Sequence, residues 1–478
     1  MASVESITQG FLSTVCVYLV YKILKYFTSE GNSKLPATFR SNRRRLGALE
    51  EVLDILSTEK SGASNICFAI SIASKQSLVL QHVRDALILL AKRQPMLRAV
   101  ITTTTNGDKY SEIKEICEVI GMLDITTSGV KASDWQDVWF EYTAKQRGNG
   151  LLWRVVILRE EFLSDNRKYV NTLMFKFNHS SIDGVSTVKF CKLFLNTMNE
   201  LANATSSVDQ EIPSLDLLPQ FHEIVTRHRI WHSLYNLLLT YCGLGPILKV
   251  LMKKIITRQR EKKPNNPYHE QFPPNPEVSK LSVPCRLNIK VFSEKQSSDI
   301  IQTCKANNCT VTGAITAAAH LAFSRFMEHG NPKDTEIDFS FPINALRFCD
   351  PKPDKDYLGY FVYMQNGCYM KYAPDDDGEF WKLAKETTEE IKSYVKKERY
   401  ITEETVVSGV MEPIEIISPF ITGKLIPKCP CNLISSMGSF NIGGEQNVTY
   451  KLNECFINDL THDAPVHFLI IFTPLTAK

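Results

Sequence analysis

A histidine, an aspartate and a glycine stand close together in the segment NHSSIDG, residues 178–184. An unperturbed pKa of about 6.5 suits histidine to remove a proton from an alcohol or a thiol near neutral pH. Asp183 can fold back to fix the loop and hold the imidazole of His179 in one orientation, and Gly184 allows a tight turn and close packing. The segment therefore predicts a general base, with His179, Asp183 and Gly184 as candidate catalytic residues.

The segments on either side of this motif have the patterns of a strand and a helix. Residues 170–177 are typical of a buried strand, and residues 185–202 have helical apolar spacing. A histidine at such a junction can project into a cleft. At average residue usage, the expected number of His-x-x-x-Asp-Gly motifs that arise by chance in this chain is on the order of a few hundredths. We therefore prefer a catalytic histidine to a structural one.

Strand-like and helix-like segments are mixed in both halves of the chain, without a strict βαβ repeat. The predicted strands include residues 66–72, 97–103, 152–158, 287–292, 335–343, 359–364, 432–439, 446–452 and 467–473. The predicted helices include residues 77–93, 135–146, 294–307, 312–327 and 382–398. The predicted fold class is α/β, with mixed sheets of the α+β kind. The predicted division is an N-terminal hydrophobic segment (1–35), a first lobe with the motif (36–205), an insertion with a linker (206–284) and a second lobe (285–478).

The overall composition is that of a globular chain. The 478 residues are 44% hydrophobic and 22% charged, which excludes wholesale disorder, and the net charge of +3 gives no sign of a nucleic-acid-binding face. The thirteen cysteines are scattered and predict mostly free thiols. No CxxC or HExxH occurs, and His228 and His232 have no third ligand nearby, so no metal site is predicted.

Two apolar segments are flanked by basic residues. Residues 7–27 predict either a membrane anchor or a buried helix, and the arginines at 43–45 favour a body on the cytosolic side. Residues 230–263 predict either an amphipathic hairpin in a lipid interface or a helical pair over the core. The expected location is the cytosolic face of a membrane, with the endoplasmic reticulum as one candidate and the cytoplasm as the alternative.

The NHSSIDG segment resembles the HHxxxDG signature of the chloramphenicol acetyltransferase-like superfamily, which includes condensation domains, alcohol acyltransferases and wax-ester-synthase relatives. Other segments resemble superfamily elements in the expected order: RQPMLRA at 93–99, LWR at 152–154, VT at 311–312, PINALR at 342–347, LGYF at 358–361 and NLISSMG at 432–438. Asn178 replaces the first histidine of the signature, and the DFGWG segment of the plant branch is absent from the sequence.

The resemblance implies two similar lobes that form a pseudo-dimer with a tunnel between them. His179 would deprotonate an acceptor hydroxyl, which would attack an acyl thioester directly. The cosubstrate would be acyl-CoA or an acyl carrier protein thioester, with no bound cofactor. Asp183 would be structural and paired with an arginine: Arg93, Arg98 or Arg347. The candidate substrate-binding residues are Asn178, Arg347, Ser435 and Ser436, with Asn432 a further candidate donor to the oxyanion.

The function that follows is an acyl-CoA-dependent O-acyltransferase, acting on an alcohol or a lipid acceptor near a membrane surface, with a carrier protein as a possible partner. Two alternatives stay open: amide-forming transfer to an amine, and a non-catalytic protein that binds a lipid or an acyl thioester. A hydrolase is disfavoured, because residues 184–188 (GVSTV) lack the closing glycine of a GxSxG nucleophile elbow.

Overall fold

The structure is a computed structural model, and it describes residues 41–59, 64–144, 150–226, 245–262, 288–326, 336–371, 377–397, 411–421, 432–438, 440–443, 448–459, 468–472 and 475–477. The chain divides into two compact units, Met1–Ser41 and Asn42–Lys478. The anchor candidate at 7–27 lies outside the described residues. Among the helices that the structure describes, none combines the length and the apolar character needed to cross a bilayer.

Helices and strands alternate irregularly, as the sequence predicts. The described helices are α1 (Ala48–Glu59), α2 (Leu80–Arg93), α3 (Ile116–Met122), α4 (Trp135–Ala144), α5 (Gly184–Ala202), α6 (Phe221–Thr226), α7 (Gly245–Lys262), α8 (Glu294–Ala306), α9 (Val311–Phe326), α10 (Asp377–Lys396) and α11 (Pro413–Ile421). The described strands are β1 (Arg43–Arg45), β2 (Asn65–Ser74), β3 (Ala99–Thr103), β4 (Lys109–Ile113), β5 (Ile125–Lys131), β6 (Trp153–Arg159), β7 (Glu161–Leu163), β8 (Lys168–Asn178), β9 (Glu336–Asn344), β10 (Val362–Lys371), β11 (Asn432–Ser436), β12 (Phe440–Gly443), β13 (Tyr450–Asp459), β14 (Phe468–Phe472) and β15 (Leu475–Ala477).

The sheet that supports the motif has the strand order β13-β2-β8-β6-β5, with the short β7 also paired to β8. Strand β8 is antiparallel to both β2 and β6, whereas β5 runs parallel to β6. The sheet is therefore mixed. The other described sheets have the orders β10-β9-β11-β14, β1-β4-β3 and β12-β15.

Strand β8 is buried on both faces, which explains its nearly continuous apolar sequence. Phe175 and Phe177 lie on the face covered by α2 and α5, where Phe175 stacks on Phe68 with ring centroids 4.9 Å apart. Met174 lies on the opposite face, packed with Trp135 and Trp139 of α4. Burying one such aromatic side chain is worth roughly 1.5–3 kcal/mol. The strand that ends at the motif is therefore firmly anchored.

The second half of the chain supplies both its own sheet and a strand of the first one. Helices α9 and α10 pack on the sheet that contains β9 and β11, in a core that includes Ala317, Phe339 and Ile434. Strand β13 pairs antiparallel with β2 and so completes the first sheet across the predicted boundary between the lobes. The mixed α/β fold class is confirmed.

Several predicted strands differ from the structure. The strands predicted at 359–364 and 446–452 lie further along the chain, at Val362–Lys371 and Tyr450–Asp459. Residues 97–103 begin as a 3₁₀ turn, Pro95–Arg98, and only Ala99–Thr103 is extended. Proline at the start of that turn has the fixed φ and the missing N–H that a first helical turn tolerates. The strand predicted at 287–292 is wrong, because the described residues 288–293 have no regular secondary structure.

Candidate active site

His179 is the first residue after β8, and its imidazole is held by the loop that follows it. Its Nδ1 atom lies 2.9 Å from the carbonyl oxygen of Ile182. Because a carbonyl oxygen only accepts hydrogen bonds, Nδ1 carries the hydrogen in this contact, and Nε2 is then the nitrogen able to accept a proton. The ring also meets Tyr360 edge to face, with centroids 5.7 Å apart. The half-buried imidazole is therefore set in the tautomer that a general base needs.

Asp183 is buried at the N-terminus of α5 and joins the motif to a distant loop. Its Oδ1 atom accepts a hydrogen bond of 2.7 Å from the main-chain N–H of Ser186, which caps the helix. Its Oδ2 atom accepts one of 2.9 Å from the main-chain N–H of Phe361. Its own N–H donates to the carbonyl oxygen of Gly359 at 3.0 Å. Asp183 thus fixes the segment 359–361 against the motif.

The expected arginine partner of Asp183 is replaced by main-chain donors. Arg93 bonds to the Pro213 carbonyl and to Asp354, and Arg98 donates to the Lys114 carbonyl and to Ser214. Among the described residues no arginine forms an ion pair with Asp183. Burial raises the pKa of this carboxyl above its ordinary value, and the N–H groups of Ser186 and Phe361 oppose that rise.

The segment 356–361 is also held from the other side by Gln94. The amide nitrogen of this fully buried residue donates to the Asp356 carbonyl at 2.8 Å, and its amide oxygen accepts from the Leu358 N–H at 3.1 Å. The structure thereby brings the RQPMLRA and LGYF segments together beside the motif. The role of Gln94 was not expected from the sequence, although the segment containing it was noted.

Gly184 allows the end of β11 to approach the motif. A Cβ atom on Gly184 would lie 2.5 Å from the Sδ atom and 2.9 Å from the Cε atom of Met437. Met437 is buried in the same core as Phe175 and Phe190. Because Met437 immediately follows β11, this contact fixes the strand end that includes Ser435 and Ser436. Ser435 is half-buried and Ser436 is exposed.

Asn178 is almost fully buried, and both polar atoms of its side chain are engaged. Its amide nitrogen donates to Asp54 Oδ1 at 3.0 Å, and its amide oxygen accepts from the Ser180 N–H at 2.9 Å. Asp54 in turn is paired with Lys109 at 2.8 Å. Asn178 therefore connects α1 to the loop that contains His179. A direct role in substrate binding stays a prediction.

Arg347 lies apart from these contacts. It is exposed in the short turn Leu346–Phe348, with its guanidinium carbon 4.7 Å from the centre of the Phe348 ring. The structure gives it no bond to Asp183, and a role at the substrate stays a prediction for this residue as well.

Several groups that contact His179 and Asp183 could not be predicted from the sequence, because they belong to the main chain. The carbonyls of Ile182 and Gly359 and the N–H of Phe361 have no side-chain signature. Tyr360 was part of a noted segment but had no assigned role.

Within the described ranges no group of three or more histidine, cysteine, aspartate or glutamate residues is arranged to hold a metal ion, and His228 and His232 lie outside those ranges.

The family profile described as "Alcohol acetyltransferase" (AATase) matches residues 132–471, a range that includes the motif and β11. No curated protein sequence matches the chain.

Three solved structures illustrate the similarity of fold. The trichothecene 15-O-acetyltransferase TRI3 of Fusarium sporotrichioides is 13% identical, with a TM-score of 0.63 over 91% of this chain and 89% of that one. Polyketide synthase associated protein 5 of Mycobacterium tuberculosis is 12% identical, with a TM-score of 0.53 over 87% and 86%. A mutant starter condensation domain of rhizomide synthetase in complex with C8-CoA is 10% identical, with a TM-score of 0.50 over 90% and 86%. At these identities the likeness shows the two-lobed acetyltransferase and condensation-domain fold.

Proposed function

The chain belongs to the alcohol acetyltransferase family, a family of acyltransferases, and from that premise we propose that it moves an acyl group from acyl-CoA to the hydroxyl of an alcohol, with His179 as the general base. The observation that supports the base most directly is the hydrogen bond between His179 Nδ1 and the Ile182 carbonyl. It sets the tautomer in which Nε2 accepts a proton. The acyl donor is suggested by the similar fold solved with C8-CoA.

The proposed reaction needs no acyl-enzyme. Nε2 of His179 accepts the hydroxyl proton while the acceptor oxygen attacks the thioester carbonyl carbon. The resulting tetrahedral oxyanion collapses, the ester carbonyl re-forms and the carbon–sulfur bond breaks. The thiolate of CoA leaves and takes the proton back from the imidazolium of His179. A base placed in this way contributes roughly 10²–10⁴-fold to the rate.

Asp183 has a positioning role in this proposal. Its carboxylate is occupied by the N–H groups of Ser186 and Phe361, so it acts on the loop rather than on the substrate. Asp183 is buried and bonded to both Ser186 and Phe361. It therefore fixes the two segments that the imidazole contacts, the loop after His179 and residues 359–361. This is the contribution expected from a rigid support around a catalytic group.

Ser435 and Ser436 are the proposed donors to the oxyanion. They end β11 next to Met437, whose side chain packs at Gly184, five residues after His179. A hydroxyl in this region would stabilise charge that develops only in the transition state. Substitution of each serine by alanine should therefore lower kcat with little change in KM.

The decisive experiment offers the purified full chain a series of acyl-CoAs with octanol or octylamine and identifies the products by mass spectrometry. We expect an ester from octanol and no amide. Amide formation alone would replace the proposed activity by the N-acyltransferase alternative. Binding of acyl-CoA without any product would favour the non-catalytic alternative, and transfer only from a loaded acyl carrier protein would exclude CoA as the donor.

His179→Ala tests the base in the same assay. We expect ester formation to fall by roughly 10²–10⁴-fold while the melting temperature changes little, because the half-buried ring makes one hydrogen bond within the described part of the chain. His82→Ala is the matched control, since His82 is also half-buried and bonds through Nδ1, to Tyr450 at 3.1 Å. Full activity of His179→Ala would remove this residue from the base role.

We also propose that the protein works on the cytosolic face of an anionic membrane, such as that of the endoplasmic reticulum. Helix α7 supports this proposal, because it exposes four large apolar side chains to solvent. The exposed fractions are 66% for Ile247, 68% for Val250, 52% for Leu251 and 40% for Ile255. Their spacing places them on one side of the helix, together with the exposed Lys254 and Arg258. Such a face suits insertion between acidic headgroups.

Vesicle sedimentation tests the membrane proposal. The full chain should sediment with phosphatidylcholine vesicles that contain phosphatidylserine, and less with pure phosphatidylcholine. Val250→Ser with Leu251→Ser should weaken this binding. Val79→Ser with Leu80→Ser is the matched control, since that pair is 39 and 51% exposed elsewhere on the surface. Equal binding by both double variants would exclude α7 as the contact.

A further inference from the structure

Tyr360 packs beside the imidazole of His179 from the second half of the chain. The hydrogen bond from Nδ1 to the Ile182 carbonyl fixes one atom of the imidazole, but the ring can still rotate about that contact. The centroids of the two rings lie 5.7 Å apart and their planes meet at 74°, a favourable geometry for two aromatic rings. The Tyr360 ring therefore limits the plane of the imidazole.

The main chain on both sides of Tyr360 is fixed by the motif. The Gly359 carbonyl accepts hydrogen bonds from the Asp183 N–H at 3.0 Å and from Ser186 Oγ at 2.9 Å. The Phe361 N–H donates to Asp183 Oδ2 at 2.9 Å. These bonds place the Cα atom of Tyr360, but they do not select among the staggered rotamers of its side chain. The direction of the phenol ring depends on the side chains packed around it.

Phe221, the first residue of α6, is one of these side chains. Its ring centroid lies 6.2 Å from that of Tyr360, 5.8 Å from that of Phe361 and 4.8 Å from that of Tyr363. Phe221 is 6% exposed and Tyr360 is 8% exposed. Because protein interiors are close-packed, a buried ring cannot change rotamer without displacing its neighbours. The Phe221 ring therefore restricts the rotamer of Tyr360.

The segment that leads to Phe221 is attached to both parts of the site. The Leu215 N–H donates to the Arg93 carbonyl at 2.9 Å, in the first half of the chain. The Leu218 N–H donates to the phenol oxygen of Tyr357 at 3.2 Å, in the second half. Phe221 thus lies on a fixed part of the segment predicted as an insertion, and its ring is a firm support for Tyr360.

We propose that Phe221 is a positioning residue for acyl transfer, which holds Tyr360 against His179 and so keeps Nε2 directed at the acceptor hydroxyl. This inference rests on the proposed function, because it takes the imidazole as the base. Among the described residues no ring contact joins Phe221 to His179, so the effect passes through Tyr360. A displacement of about 1 Å at a reacting group can cost about a hundredfold in rate, so a small freedom of Tyr360 matters.

Phe221→Leu tests this role, and Phe194→Leu is the matched control. Phe194 is also a buried phenylalanine, but it packs on Phe175 and Phe190, with centroids 5.4 and 5.9 Å away. With octanol as acceptor, Phe221→Leu should lower kcat about ten- to a hundredfold and change KM less than about twofold. The control should leave kcat nearly unchanged. Phe221→Met, whose flexible side chain fills the space better, makes the same comparison if Phe221→Leu fails to fold.

A double variant tests whether Phe221 acts through Tyr360. Tyr360→Leu removes the ring beside the imidazole, whereas Tyr360→Phe keeps it and should retain most of the activity. In the Tyr360→Leu background, Phe221→Leu should cause no further decrease in kcat, because two residues that act through one contact are not additive. A further decrease as large as that of the single variant would overturn the proposed route.

NMR of the full chain with histidine isotopically labelled at Cε1 gives a readout that needs no acyl transfer. The His179 signal is assigned by its loss in His179→Ala. This signal should move in Phe221→Leu, because the imidazole changes its orientation to Tyr360, and should stay in place in Phe194→Leu. An unchanged His179 signal in Phe221→Leu would overturn the positioning role. If the unaltered protein makes no ester, the proposed function fails, whereas the NMR comparison still decides whether Phe221 orients His179.

Discussion

The Oδ2 atom of Asp183 accepts a hydrogen bond of 2.9 Å from the main-chain N–H of Phe361, 178 residues further along the chain. The other carboxylate oxygen caps α5 through the N–H of Ser186. One buried side chain therefore satisfies two main-chain donors from separate parts of the sequence. Removing it exposes both donors to an environment without water, which is costly.

Asp183→Asn should lower both stability and activity. An amide can accept only one of the two N–H groups, and its own NH₂ would face the other. Combining a lost cap with an unsatisfied buried donor predicts a decrease of about 2–4 kcal/mol in the free energy of unfolding. Urea denaturation measures this change. The control Ser293→Ala removes the exposed cap of α8 and should cost about 1 kcal/mol without loss of activity. Equal losses in both variants would contradict the role of the Phe361 contact.

Gly184→Ala should reduce activity through Met437. The added Cβ would lie 2.5 Å from Met437 Sδ, so the methionine and the end of β11 must shift. Overpacking of this kind costs about 1–3 kcal/mol, part of which the better helix propensity of alanine offsets. Met437→Ala in the same chain should restore activity by making room. The control Gly121→Ala, where nothing lies within 4 Å, should leave activity unchanged.

Asn178→Ala distinguishes positioning from substrate binding. The variant loses the bonds to Asp54 and to the Ser180 N–H, so the His179 loop can shift. We expect kcat to fall about ten- to a hundredfold with KM nearly constant. Asn171→Ala, which removes another buried asparagine of β8 that bonds to Glu160, should affect stability alone. A rise in KM with kcat unchanged would instead support direct binding by Asn178.

Lys176 should make stability depend on pH in the alkaline range. Its folded-state pKa is lowered to about 8 from the ordinary 10.5, so the folded protein releases this proton first and stability increases between those values. Lys176→Met removes the cost of the buried charge, and at pH 7 its advantage over the unaltered protein should reach about 3 kcal/mol. That advantage should shrink by pH 9.5. Urea unfolding at each pH measures this difference in stability, and Lys192→Met is the control that should show no such trend.

The elements around the motif could be predicted from the sequence because their signals are local. The apolar run of β8 and the helical spacing of α5 were found with ends within two residues of the structure. The strand predicted at 287–292 failed, since a short apolar pattern does not say whether a neighbouring strand is available for pairing. The 3₁₀ turn at Pro95–Arg98 was missed because an apolar run conceals the change in backbone geometry.

The sequence by itself determined the mixed α/β class, the candidate base and its place between a strand and a helix, since residue type and periodicity are enough for these. Only the tertiary structure decided which groups meet the motif. The partners of Asp183 are main-chain N–H groups, which every residue except proline possesses and which therefore leave no signal in a sequence. The approach of Met437 to Gly184 and the pairing of Lys176 with Arg154 depend on packing and strand register, which are fixed only when distant segments fold together.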